Sequence, residues 1–189
     1  MSFRPAADLA GGRSLRWQAL EGGGLEHLSL RATQDAILAE AVVIGERDGL
    51  RYGARYEIAC AQDFTARSFS VTTTDGRRLA MSRDGDGWRD EARGRLPQFD
   101  ACIDIDLSAT PFTNTLPIRR CTWQNGQARR LPMLFVPFDS FQPYATEQIY
   151  TCLGPRLFRF ETADGSFSAD LRLDADGLVM DYPHLFQRL

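Results

Sequence analysis

The sequence contains no lysine; all 22 of its cationic side chains are arginine. That absence excludes a Schiff-base lysine, a phosphate-loop lysine and a lysine general base. Histidine is scarce as well. His27 and His184 stand far apart with no third ligand at zinc spacing. The four cysteines, Cys60, Cys102, Cys121 and Cys152, form no C-x-x-C pair, which excludes the usual zinc and redox signatures. Each lies in a strand-like run and reads as a small buried hydrophobe in a reducing compartment. Two disulfides are the alternative in an oxidising one. No apolar run approaches 18 residues, so no spanning helix is expected. The N-terminal stretch MSFRPAADLAGGR has no apolar h-region and is not expected to act as a secretory signal. The expected compartment is therefore the cytoplasm. No nucleophile elbow, phosphate loop or dinucleotide fingerprint occurs. DGDGW and DADGL echo calcium loops but lack the downstream pattern, so they read as hairpin turns. No metal and no cofactor is expected.

Basic excess is also missing. A net charge of −3 and a pI near 5.4 speak against a nucleic-acid partner and give no reason to expect docking on an anionic membrane. What is present is an ordinary globular composition, 43% hydrophobic and 25% charged, in 189 residues. At roughly 100–200 residues per domain, residues 1–189 are expected to form a single domain. Residues 1–13 are expected as a flexible N-terminus.

Strand signals dominate the chain. SLRWQAL and LEHLSLRAT flank a glycine cluster as a hairpin. AILAEAVVIGER, helical by composition but favoured as strand by its valine and isoleucine content and its flanks, turns at ERDG into LRYGARYEIAC, and FTARSFSVTTT breaks at Asp75-Gly76 before RRLAMSR. CIDIDLS alternates strictly. ARRLPMLFVPF, QPYATEQIYTCL, RLFRFETAD, SFSADLRLD and LVMDY all read as extended. The expectation is an all-β fold of about 10–12 largely antiparallel strands, with one or two short helical segments. PHLFQRL at the end is expected as one helical turn.

The least ordinary stretch is ATPFTNTLPIRR, Ala109 to Arg120. Thr110 followed by Pro111 has the pattern of a capped helix start. Pro117 disfavours helix before it, so the turn is expected to end near Leu116 and Ile118–Arg120 to re-enter a strand. Neighbours in a strand face opposite ways, and Arg119 is then the partly buried one of the pair. A buried arginine needs a carboxylate or carbonyl partner. Asp104 and Asp106 share one face of the preceding strand. They form either a polar pocket wall balanced by arginine or an acidic face in water.

DIDLSATPFTNTLPIRR, the hairpin WQALEGGGLEHLSL and the closing segments QIYTCLGPRLFRFE and FSADLRLDADGLVMDYPHLF together resemble the bacterial putative glycolipid-binding family. The resemblance runs from about Leu15 to Phe186. It implies one antiparallel sheet curled into a half-barrel, similar to the bacterial lipoprotein carriers and acceptors, with helical segments over part of the concave side. It also implies binding of a lipid or glycolipid. A head group needs donors and acceptors at the rim. The candidates are Glu26, His27, Asp104, Asp106, Thr113, Asn114, Arg119, Arg120 and Tyr150, with Phe112 and Trp17 as apolar lining or plain core.

Two other classes compete. A protein-interaction module could use an open sheet edge, as a monomer or a homodimer. A hydrolase could use Asp104 and Asp106, which sit roughly 7 Å apart on a strand. Glu26 and His27 are adjacent on a strand, face opposite ways and do not make a local dyad.

Overall fold

The computed structural model describes residues 3–47 and 49–189. Met1, Ser2 and Asp48, the last within the expected ERDG turn, lie outside the described residues. One curled, unclosed sheet of fifteen strands organises the chain.

The first half is a meander: β1 (Arg13–Ala19), β2 (Leu25–Ala32), β3 (Ile37–Arg47), β4 (Leu50–Cys60), β5 (Ala66–Thr73), β6 (Arg78–Asp84), β7 (Gly87–Asp90) and β8 (Gly94–Arg95). Each pairs antiparallel with the next. The alternation in sequence is the alternation in burial. In β2, Glu26, Leu28, Leu30 and Ala32 point inward, and Leu25, His27, Ser29 and Arg31 point outward.

The second half is a second meander: β10 (Ala128–Val136), β11 (Tyr144–Gly154), β12 (Leu157–Thr162), β13 (Ser168–Leu173), β14 (Val179–Tyr182) and β15 (Phe186–Arg188). The two halves join where β15 pairs antiparallel with β1, Trp17 opposite Arg188 and Ala19 opposite Phe186. The final segment is therefore a strand and not the helical turn expected of PHLFQRL. Only a partner some 170 residues away in the chain makes it one, and no local signal carries that. The strand total exceeds the expected 10–12 because several strands, such as β8 and β15, are only two to four residues long.

Between the meanders runs the segment from Leu96 to Gln127. It holds β9 (Asp104–Leu107), a 3-10 turn (Phe112–Asn114) and the one α-helix among the described residues, α1 (Thr115–Arg120). β9 pairs parallel with β10, Asp104 beside Met133 and Asp106 beside Phe135. Both faces of this pair are covered. Ile105, Leu107, Leu134 and Val136 enter the core of the first half, whereas Met133 enters that of the second with Ile118, Trp123 and Phe158. Burial on both faces explains the near-continuous apolar run LPMLFV. The helix passes through Pro117, against the expected strand. Proline sits there in the first turn, where a missing N–H costs no intrahelical bond. The expected start is as the structure has it: Thr110 Oγ1 accepts the Phe112 N–H at 3.0 Å.

The three tryptophans are buried and each indole N–H finds a carbonyl: Trp17 that of Val179 at 2.8 Å, Trp88 that of Cys102 at 2.8 Å, Trp123 that of Ile118 at 2.9 Å. All four cysteines are free thiols. Residues 3–12 make contacts with the rest of the fold. Leu9 is buried in the core, Arg4 N–H donates to the Ala175 carbonyl at 3.0 Å, and the Arg4 guanidinium pairs with Asp176 at 2.8 Å. No helix among the described residues is long and apolar enough to cross a membrane.

Candidate functional site

The two meanders are filled differently. On the concave side of the second half, α1, Trp123, Met133, Tyr150 and Phe158 pack one end solidly. The other end, at the start of β11 and the end of β12, is a cavity of about 370 Å³. Inward positions two apart supply its wall: Thr146 and Gln148 from β11, Phe160 and Thr162 from β12. Phe135, Phe167, Tyr182 and Phe186 add aromatic surface, and Asp106, Ser108, Thr110 and Asn114 form a polar floor. At the mouth stand Arg47 and two exposed apolar side chains, Tyr144 and Leu185. Leu20, also exposed, is tied to that rim by its N–H to the Leu185 carbonyl at 2.9 Å.

A hydrogen-bond network holds the floor rigid. Asp106 accepts from Thr113 Oγ1 at 2.9 Å on one oxygen and from Gln148 Nε2 at 2.6 Å on the other. The Tyr150 hydroxyl lies 2.9 Å from Asn114 Oδ1 and 3.1 Å from Gln148 Oε1, and Asn114 Nδ2 donates to the Pro111 carbonyl at 3.2 Å. Burial raises the Asp106 pKa; the Gln148 and Thr113 donors and the Arg47 charge pull it back in part. Burial also raises the Tyr150 phenol well above its ordinary value, so it stays a neutral donor.

Behind Thr110 lies Glu26, a buried carboxyl on the inner face of β2. Tyr56 and Thr110 both donate to its Oε1, Thr110 at 2.9 Å, and Oε2 has no hydrogen-bond partner among the described residues. Desolvation lifts its pKa to about 7, against the lowering effect of those two donors. It borders a void of about 10 Å³ whose lining includes Tyr52, Ala109 and Phe186, so Phe186 and Thr110 separate it from the main cavity.

The expected site residues divide into four groups. Asp106 and Asn114 line the cavity; Thr113 and Tyr150 bond to them from behind, and Glu26 bonds to Thr110. His27 projects from the outer face, near Arg16 and Ser14, and does not reach the cavity. Phe112 and Trp17 are fully buried in core. The arginine pair and Asp104 serve the fold. Arg120 grips Asp104 with two bonds, at 3.0 and 2.6 Å. The acidic face of β9 is thus buried and arginine-balanced at Asp104, and the carboxylate partner belongs to Arg120 where Arg119 was expected. Burial still leaves the Asp104 pKa raised, although Arg120 opposes it. Arg119 caps carbonyls instead, donating to those of Asp176 and Arg4, the latter at 2.9 Å, with its guanidinium 4.3 Å from the Phe64 ring centre. Its stem packs so closely on Gly177, at φ +76°, that a Cβ there would lie 2.7 Å from Arg119 Cδ.

Tyr144, Thr146, Gln148, Phe160, Thr162, Tyr182 and Leu185 were not among the expected residues. The one signal for them was the inward polar pair Thr146 and Gln148 in a strand whose next inward residues, Tyr150 and Cys152, are apolar or amphipathic.

The family model described as "Putative glycolipid-binding" matches residues 14–188. The chain belongs to this family. A crystal structure of a DUF1089 family protein from Pseudomonas aeruginosa is similar, with 38% identity and a TM-score of 0.75 over 88% of this chain and 92% of that one. The expected curled half-barrel is therefore shared with a solved relative. No curated protein matches the chain. Membership of the glycolipid-binding family directs attention to the concave cavity, where a curled sheet leaves apolar surface that must be covered.

Proposed function

We propose that this glycolipid-binding family member binds an amphipathic molecule of the lipid or glycolipid class in the concave cavity between β9, β11 and β12. The observation that carries the reading is the mixed lining of that cavity. Its floor is polar and held by hydrogen bonds, its walls mix aromatic rings with Thr146, Gln148 and Thr162, and its rim carries exposed apolar Tyr144, Leu185 and Leu20 beside the charged Arg47 and Glu147. Ligand pockets for small molecules span roughly 300–1,000 Å³ with a few placed polar groups among apolar ones. At about 370 Å³ the cavity suits one head group or part of one chain, not a whole two-chain lipid. The polar head then lies inward and the apolar part leaves across the rim, where each covered CH₂ contributes about 0.8 kcal/mol.

The edge-pairing alternative has less to support it. One edge strand, β8, has two residues, and the other, β9, is buried at Asp104, Ile105 and Leu107. Same-strand catalysis by Asp104 and Asp106 lacks a pair to work with, because Asp104 is held by Arg120 away from the cavity lining.

Native mass spectrometry of gently purified protein, followed by organic extraction, tests the binding reading. The expected result is a one-to-one adduct that an organic phase releases. A bare mass for the purified protein, which stays bare after incubation with a total lipid extract, would count against it.

A further inference from the structure

The charge arrangement inside the cavity selects among head groups. Three charged side chains line it, besides the phenols of Tyr144 and Tyr182. Arg47 is exposed at the mouth, with Asp139 4.0 Å from its Nε. Glu147 is exposed at the rim and bonded to Arg130 at 3.0 Å. Only Asp106 is set into the floor; its hydrogen-bond partners Thr113 and Gln148 are both neutral, and the one cation of the lining, Arg47, acts on it from the mouth. A carboxylate offers roughly four acceptor positions, of which these two donors use two. The Gln148 and Asn114 amides each have one N–H committed to the protein, to Asp106 and to the Pro111 carbonyl, which leaves a second N–H on each. The floor therefore pairs a negative acceptor with neutral amide donors, ringed by Phe135, Phe160, Phe167 and Tyr182. A polyhydroxylated ring matches it: hydroxyls donate to the carboxylate and accept from the amides, while apolar C–H faces pack on the aromatic walls. A carboxylate or doubly ionised phosphate head has no proton to give Asp106 and would be buried against its charge.

We infer that the floor built on Asp106, Gln148 and Asn114 reads an uncharged glycosyl head group and excludes anionic ones. This rests on the proposed binding of an amphipathic molecule in the same cavity. Asp106 acts there as a specificity determinant, worth roughly a 10- to 100-fold preference if it forms one or two charge-assisted hydrogen bonds with the sugar.

Isothermal titration at about pH 8, where the phosphate is a dianion, with n-nonyl β-D-glucoside and n-nonyl phosphate, both below their micelle concentrations, decides the matter. The two probes share a tail and differ in the head. The expected result is that the glucoside binds at least about tenfold more tightly. Asp106→Asn should weaken the glucoside about tenfold, strengthen the phosphate, and leave the thermal midpoint close to that of the parent. If Asp106→Asn does not fold, Gln148→Met carries the test: it keeps the carboxylate, so glucoside affinity should fall and the phosphate should stay excluded. Equal or tighter binding of the phosphate overturns the head-group assignment but leaves the binding of amphiphiles standing. Unchanged affinities in a folded Asp106→Asn variant overturn it too. Binding of neither probe overturns both the assignment and the binding reading beneath it.

Discussion

Replacing Arg120 by alanine is expected to destabilise the protein by about 3 kcal/mol, because it leaves a buried carboxylate without its counter-charge. Asp104 is fully buried, and Arg120 is the side chain that meets it with two bonds. Burial already pushes the Asp104 pKa up, so the variant would relieve part of the penalty by protonating Asp104, most readily in acid. For a chain of this length that corresponds to a drop in thermal midpoint of roughly 6–12 °C. Adding Asp104→Asn to the variant should recover part of the loss, since no charge then remains buried. Arg119→Ala should cost less than Arg120→Ala, for Arg119 caps carbonyls and a ring face and leaves no buried ion behind. A change below about 1 kcal/mol in the Arg120→Ala variant, as for a surface pair, would show that Asp104 is not held as described.

The second large effect concerns pH. The folded-state pKa of Glu26 is raised from 4.5 to about 7 by burial. Between those two values the folded chain keeps a proton that the unfolded chain has lost. Stability from this group is therefore fully present below about pH 4.5, is lost as pH rises to about 7, and is flat above that. The span amounts to roughly 3 kcal/mol, at 1.36 kcal/mol for each pKa unit. Glu26→Gln should abolish this slope. Its amide oxygen can still accept from Tyr56 and Thr110, and its NH₂ takes the place of the oxygen that has no partner. Denaturant titrations at pH 5 and pH 7.5 on both proteins measure the difference. An identical pH dependence in the two would mean that Glu26 titrates at its ordinary value and is not buried as an isolated acid.

Much of the fold was legible because it rests on local signals. The Asp-Gly breaks between β5 and β6, β6 and β7, and β13 and β14 mark real hairpins, the alternation of β2 sends Glu26 inward and His27 outward, and Thr110 caps the turn that Pro111 opens. What was not legible depends on partners distant in sequence. PHLFQRL is a strand because β1 receives it, and the double burial of β9 and β10 follows from a parallel pairing across the centre of the chain. Reading Pro117 as a helix stop placed Arg119 and Arg120 on a strand, and that reversed which of them meets the carboxylate. The cavity was legible only in outline. Asp106, Asn114, Thr113 and Tyr150 emerged from the unusual central segment and from the family resemblance. Thr146, Gln148 and Thr162 look like ordinary strand residues until the register of β11 on β12 sets Gln148 opposite Thr162, and the curl of the sheet turns them toward Asp106.

The measurement that bears most directly on the central claim is an NMR titration of isotope-labelled protein with n-nonyl β-D-glucoside, read residue by residue. Binding in the cavity predicts saturable shifts at Thr146, Gln148, Thr162, Tyr182 and Leu185, with the outer-face residues Arg156, Arg172 and Met180 unmoved. Shifts confined to that outer face, or none at all, would contradict a ligand site on the concave side.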